Sequence, residues 1–118
     1  MHELSVAGAV IDTATRSAEE RRVTAIELRI GHLRQVVPDS LAFYFEHVAR
    51  GTVCEGARLT WEEVPALLGC DECGHSFTLD EPAFRCPACG AGAVTVEQGD
   101  ELYVEWIEVE QEDRQCIA

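Results

Sequence analysis

Cys70-Asp-Glu-Cys73-Gly74 and Cys86-Pro-Ala-Cys89-Gly90 are two C-x2-C pairs, separated by 12 residues and each followed directly by glycine. The x2 spacing lets both sulfurs of a pair reach one ion about 2.3 Å away, and the glycine tolerates the positive φ of a tight turn at a metal. Two such knuckles bring four thiolates into a tetrahedron. A closed four-thiolate set leaves no vacant position for water, so the expected role is structural, not hydrolytic. Zinc is the first choice of ion; a rubredoxin-like iron site uses similar knuckles, and colour separates them, because ferric thiolate sites are coloured and zinc sites are not. Two disulfides and a thioredoxin-like redox pair are the competing readings. A single redox motif does not account for two matched pairs, and no βαβ pattern surrounds them.

The stretch from 70 to 99 carries four cysteines, four glycines and two prolines, with only short β-like pieces at Ser76–Leu79 and Val94–Val96. It is too poor in apolar residues to be held by burial alone, and metal affinity becomes folding free energy where no preformed site exists. Regular patterns lie on either side. Leu4, Ala7, Ile11, Ala14 and Ala18 recur at helical intervals. Residues 23–30 place Thr24, Ile26, Leu28 and Ile30 on one strand face, with Glu27 and Arg29 on the other. Pro38 at a first helical position opens a second helix with Leu41, Phe45 and Val48 as its stripe, and Gly51 ends it. A strand follows at 57–63, Pro65 and the Gly69-Cys70 junction break the pattern, and a β-rich segment resumes at Leu102–Val109. The expected fold is α+β. A small mixed sheet with two helices, from residues 1–63 and 101–118, carries an inserted zinc-ribbon-like domain at 64–100, and residues 111–118 form a loose tail.

Composition narrows the function. In 118 residues, 9 Lys+Arg face 22 Asp+Glu, giving −13, and every cation is Arg. The 70–99 stretch has one Arg against Asp71, Glu72, Asp80, Glu81 and Glu97, which disfavours a zinc-ribbon module that binds nucleic acid. The start MHELSVAGAV has no basic n-region or cleavage site, and no run approaches the ~18 apolar residues of a membrane span. A cytoplasmic chain without membrane or nucleic-acid partners is expected. No Gly-rich phosphate loop, nucleophile elbow or H-E-x-x-H set is present, so an enzyme is not expected. His32 and His47 read as surface histidines, His75 as an exposed loop residue or an outer-shell group, and Cys54 and Cys116 as a semi-buried residue and a tail thiol.

His2 and Glu3 admit two readings. They are either a frayed chain end whose Glu3 favours the positive end of the first helix, or part of a chelate. The Met1 amine, a deprotonated His2 amide and the His2 imidazole form fused rings around one ion, and nitrogen-rich planar sets suit Ni(II) or Cu(II). Glu3 adds an oxygen.

A resemblance decides between them. Met1-His2-Glu3-Leu4-Ser5, Ile30-Gly31-His32-Leu33, Phe45-Glu46, Gly56-Ala57-Arg58-Leu59, both cysteine pairs and Gly99-Asp-Glu-Leu102 together resemble the HypA/HybF family of hydrogenase maturation nickel metallochaperones. The likeness runs in order along nearly the whole chain. It implies an α+β nickel-binding body with an inserted zinc domain, nickel held by the Met1 amine, His2 and Glu3, and zinc by Cys70, Cys73, Cys86 and Cys89. It further implies no enzymatic activity, insertion of nickel into the [NiFe]-hydrogenase large subunit with the GTPase HypB, service to urease in some relatives, and a monomer or weak homodimer. Some relatives carry a histidine near each cysteine pair and use both in a pH response. Here His75 matches the first and Gly90 stands at the second, so that response does not carry over.

Overall fold

The computed structural model describes residues 2–78 and 85–111. In chain order the elements are α1 (His2–Ala18), β1 (Val23–Gly31), a 3-10 turn (His32–Arg34), α2 (Pro38–Val48), β2 (Arg58–Val64), β3 (Leu67–Cys70), β4 (Ser76–Thr78), β5 (Val94–Gln98) and β6 (Leu102–Val109). They form two three-stranded sheets, ordered β2–β1–β6 and β4–β3–β5. This is the α+β architecture expected. The chain divides into two compact units: Met1–Leu28, Val36–Trp61 and Tyr103–Ala118 make the first, and Arg29–Gln35 and Glu62–Leu102 the second.

In the first unit the two helices pack on each other. Pro38 stands in the first turn of α2, where its missing N–H costs nothing, and Asp39 complements the positive end of the helix dipole. Ala7, Val10, Ile11 and Ala14 form the buried stripe of α1 and meet Leu41 and Phe45 of α2 in the core. Leu4, placed by periodicity in that stripe, is 44% exposed. Val48 is only half-buried, and α2 ends there; Gly51, the expected stop, lies in the following turn with φ +80.

Strand β1 differs from its expected one-sided burial. Val23 and Ala25 are as buried as Ile26 and Leu28, so both faces of this central strand are covered over that stretch. Thr60 hydrogen-bonds Glu27 and Glu62 pairs with Arg29 at 3.0 Å, so β2 advances with β1. A parallel pair needs a crossover, which α2 provides. Strand β6 runs back, with Glu110 N–H donating to Arg22 O (2.8 Å) and Gly31 N–H to Glu101 O (2.6 Å). The sheet is mixed for that reason.

The second unit holds a strand that the sequence does not announce. Leu67–Cys70 lies behind Pro65 and contains Gly69, yet it is the centre of β4–β3–β5, pairing antiparallel with both neighbours. Gly69 is tolerated because the Glu97 carboxylate lies where its Cβ would be. The short strands fall where expected, as Ser76–Thr78 and Val94–Gln98; Leu79 lies outside the described residues, as do residues 112–118 of the expected tail. The buried cluster around this unit's cysteines is small, formed by Leu68, Phe77, Cys70 and Cys86 with Ala91 and Val94 against it, and Ile30, Val64 and Ala66 are the other buried apolar residues described in the unit.

One backbone crossing in this unit depends on glycine. Leu33 N–H donates to Gly99 O at 2.9 Å, and a Cβ on Gly31 would overlap the Gly99 carbonyl. Both atoms are backbone, so neither can rotate away. Gly31→Ala is expected to lower stability by about 1–3 kcal/mol, the usual cost of overpacking, measured as a reduced midpoint in urea unfolding. An unchanged midpoint would show that the crossing opens without cost.

Candidate metal centre

The two cysteine pairs fold as copies of one turn. In the first, Cys70 N–H donates to His75 O (2.8 Å) and Gly74 N–H to Cys70 O (3.0 Å). In the second, Cys86 N–H donates to Ala91 O (2.9 Å) and Gly90 N–H to Cys86 O (2.8 Å). Gly74 and Gly90 have φ of +77 and +79, the left-handed conformation expected of them. The first turn leaves the end of β3, which is why the unannounced strand matters: it aims Cys70 into the cluster. The turns bring the four cysteine sulfurs within 4.8 Å of one another. Cys70 and Cys86 are buried, and Cys73 and Cys89 are exposed.

Their surroundings favour thiolates held by a cation. Cys73 N–H donates to Cys70 Sγ and Ala88 N–H to Cys86 Sγ, each at 3.4 Å. The amides of Cys73 and Glu72 bring the Cys70 thiol down to about 7. At Cys89 the Ala91 amide acts downward, but the crowd of neighbouring thiols, Cys70 first, pushes it up to about 12. Cys73 is likewise raised: the His75 amide lowers it, and Cys86, desolvation and Cys70 outweigh that amide. Four sulfurs this close cannot all ionise without a positive charge among them, and a divalent ion supplies it. The donor set therefore fits a tetrahedral metal, and binding must expel protons. At pH 7 a metal ion entering the cluster is expected to release at least about two protons, because Cys73 and Cys89 are raised above their ordinary values. Affinity then falls as pH falls. Calorimetry in buffers of different ionisation enthalpy reads the proton count, and a count of zero would contradict ionisation on binding.

Several supporting residues carried no sequence signal. Asp71 N–H donates to Ala93 O (2.9 Å) and Thr95 Oγ1 donates to the Asp71 carboxylate (2.7 Å), which ties the first turn to β5. Arg85 Nη1 donates to Gly90 O at 3.2 Å beside the second. His75 is exposed, with its ring stacked against Phe77 at 6.1 Å; it serves the first turn through its backbone. Cys54 is fully buried, more than expected, near Thr15 Oγ1 at 3.9 Å, where burial raises its thiol. Cys116 lies outside the described residues. His32 faces Glu63 at 3.7 Å, and His47 packs on the Phe43 ring, so neither joins the cluster.

At the other candidate centre Met1 lies outside the described residues. His2 is the first residue of α1, and its Nε2 lies 3.7 Å from Glu3 Oε2. The Glu3 carboxylate also accepts the Val37 N–H at 3.1 Å, and that bond holds its pKa below the ordinary value. His2 and Glu3 are thus adjacent on a fixed helix start.

A two-helix α+β body together with a twin-knuckle four-cysteine cluster defines a small metal-binding protein. The HypA profile, described as hydrogenase/urease nickel incorporation metallochaperone, matches residues 1–109. The hydrogenase maturation factor HypA of Geobacter metallireducens is 46% identical over 110 residues, covering 93% of this chain and all of the relative. That of Streptomyces avermitilis is 42% identical over 123 residues, covering 100% of this chain and 92% of the relative. The solution structure of the Ni metallochaperone HypA from Helicobacter pylori superposes with a TM-score of 0.67 at 24% identity, over 95% of this chain and 100% of that one, and so shares the fold. The chain belongs to the HypA family, the nickel-incorporation metallochaperones of hydrogenase maturation. Among the described residues no helix is long and apolar enough to cross a membrane.

Proposed function

We propose that the chain carries Ni(II) at its N-terminus, on the Met1 amine, the His2 amide and imidazole, and Glu3, and passes it to the large subunit of a [NiFe]-hydrogenase with the GTPase HypB. The observation that carries this reading is the position of His2 as the first helical residue. The first N–H groups of a helix have no intrahelical acceptor, so the His2 amide can lose its proton to a metal without breaking a helix hydrogen bond. Glu3 stands beside it, already fixed through Val37. A shallow site at a chain end also suits a carrier, which has to release its cargo. Zn(II) at Cys70, Cys73, Cys86 and Cys89 holds the second unit together. The chain itself performs no catalysis, works in the cytoplasm and is a monomer or weak homodimer. Its acidic surface suits docking to basic patches on those partners.

Residues added before Met1 convert its amine to an amide and remove the first chelate donor. Nickel titration of such an extended chain is expected to show affinity weaker by more than tenfold, with zinc content unchanged; wild-type affinity would overturn the terminal assignment. The absorption spectrum of the purified chain decides between zinc and a rubredoxin-like iron centre, since zinc leaves it colourless.

A further inference from the structure

Within the four-sulfur cluster, whose members all lie within 4.8 Å of one another, two contacts join sulfurs of opposite exposure. Cys70 Sγ lies 3.6 Å from Cys89 Sγ, and Cys73 Sγ lies 3.6 Å from Cys86 Sγ. Both contacts run from one knuckle to the other, and each joins a buried sulfur to an exposed one: Cys70 with Cys89, Cys86 with Cys73. An exposed thiolate with a second thiolate beside it is the arrangement in which oxidation proceeds through a sulfenic acid to a disulfide. The exposed member meets the oxidant and the buried member resolves it.

We infer that the metal centre is an oxidative modification site, at which a hydroperoxide forms Cys70–Cys89 and Cys73–Cys86 disulfides across the two knuckles and expels the ion. The inference rests on the zinc reading above for the identity of that ion. In the first step the Cys89 thiolate attacks one peroxide oxygen, the O–O bond breaks and hydroxide leaves, giving the Cys89 sulfenic acid. The Cys70 thiolate then attacks the Cys89 sulfur, the S–O bond breaks, and a second hydroxide leaves as the S–S bond forms. Cys73 and Cys86 repeat the sequence. For the whole centre, two hydrogen peroxide molecules take four electrons from four thiolates, giving two disulfides, four hydroxides and free Zn²⁺. Disulfide sulfur carries no charge and no longer holds the ion. Bonds across the knuckles leave each turn closed by its own backbone hydrogen bonds.

Trypsin reads the result, because Arg58, Arg85 and Arg114 place Cys70 and Cys73 in peptide 59–85 and Cys86 and Cys89 in peptide 86–114, apart from Cys54 and Cys116. The zinc-loaded full chain is treated with hydrogen peroxide, blocked with N-ethylmaleimide and digested without reductant, while a chromogenic chelator follows the zinc. The expected result is release of about one zinc per chain, with the two peptides joined as one species, whose fragment ions assign Cys70–Cys89 and Cys73–Cys86. Dithiothreitol should separate them and restore zinc binding. Separate peptides each lighter by two hydrogens would mean bonds within the knuckles and would overturn the proposal. Cys70–Cys86 pairing, sulfinic acids without disulfides, or zinc retained after peroxide would overturn it equally. A chain purified without zinc would refute the zinc reading alone, and the peptide map would still judge the pairing.

Discussion

Cys70→Ser is expected to reduce zinc from one ion per chain to near zero and to unfold the second unit, while α1 and α2 remain helical. Serine is close to isosteric with cysteine, but its hydroxyl does not ionise near neutral pH, and three thiolates leave the tetrahedron open. The loss is large because so little else holds the cysteine end of this unit. The buried cluster there contains one leucine and one phenylalanine besides Cys70 and Cys86. Structural zinc in small modules contributes on the order of 10–16 kcal/mol at neutral pH, far more than such a core supplies. The first unit keeps its own core, from Ala7 and Ile11 through Ile26, Leu28 and Phe45. Metal analysis and amide exchange resolved by unit check this together: zinc near zero, rapid exchange across residues 67–70 and 94–98, and protection retained in both helices. Zinc still at one per chain, or a second unit still protected, would remove Cys70 from the metal centre.

His2→Ala is expected to weaken nickel binding by more than about a hundredfold and to leave zinc and helix content as they were. Altering a group one shell away from a metal already costs about 10–100-fold in affinity, and the histidine would lose a direct donor with its chelate ring. The fold should not respond, because the His2 side chain is 48% exposed and, among the described residues, its one ion-pair contact is Glu3. Glu3→Ala should behave differently. It removes the acceptor for the Val37 N–H as well as an oxygen donor, so it should lower both nickel affinity and the unfolding midpoint. Calorimetry and thermal unfolding separate the two variants. Equal loss of stability in both would make His2 a structural residue, and the nickel assignment would then lose its support.

The cysteine turns were legible because their geometry is local. Spacing and the following glycine are determined within five residues, and Gly74 and Gly90 take the conformation their positions required. Both helices were legible for a similar reason, since Pro38 and the apolar intervals act over one or two turns. Strand β3 was hidden: four residues with a glycine between a proline and a cysteine give no period to read, and they become a strand because β4 and β5 flank them. The clamp of Asp71 on Thr95, 24 positions apart, was invisible on the same ground.

From the sequence alone came the α+β class, two helices, the four-thiolate set and the family resemblance, each carried by residues that are near neighbours or lie in fixed order. Tertiary structure alone decided which sulfurs face one another, that Cys73 and Cys89 are exposed while Cys70 and Cys86 are buried, and that Val37 holds the Glu3 carboxylate. Those contacts join residues 13 to 34 positions apart. Local periodicity does not reach that far, because such pairs meet only when strands and helices pack and both partners lose solvent on the same side.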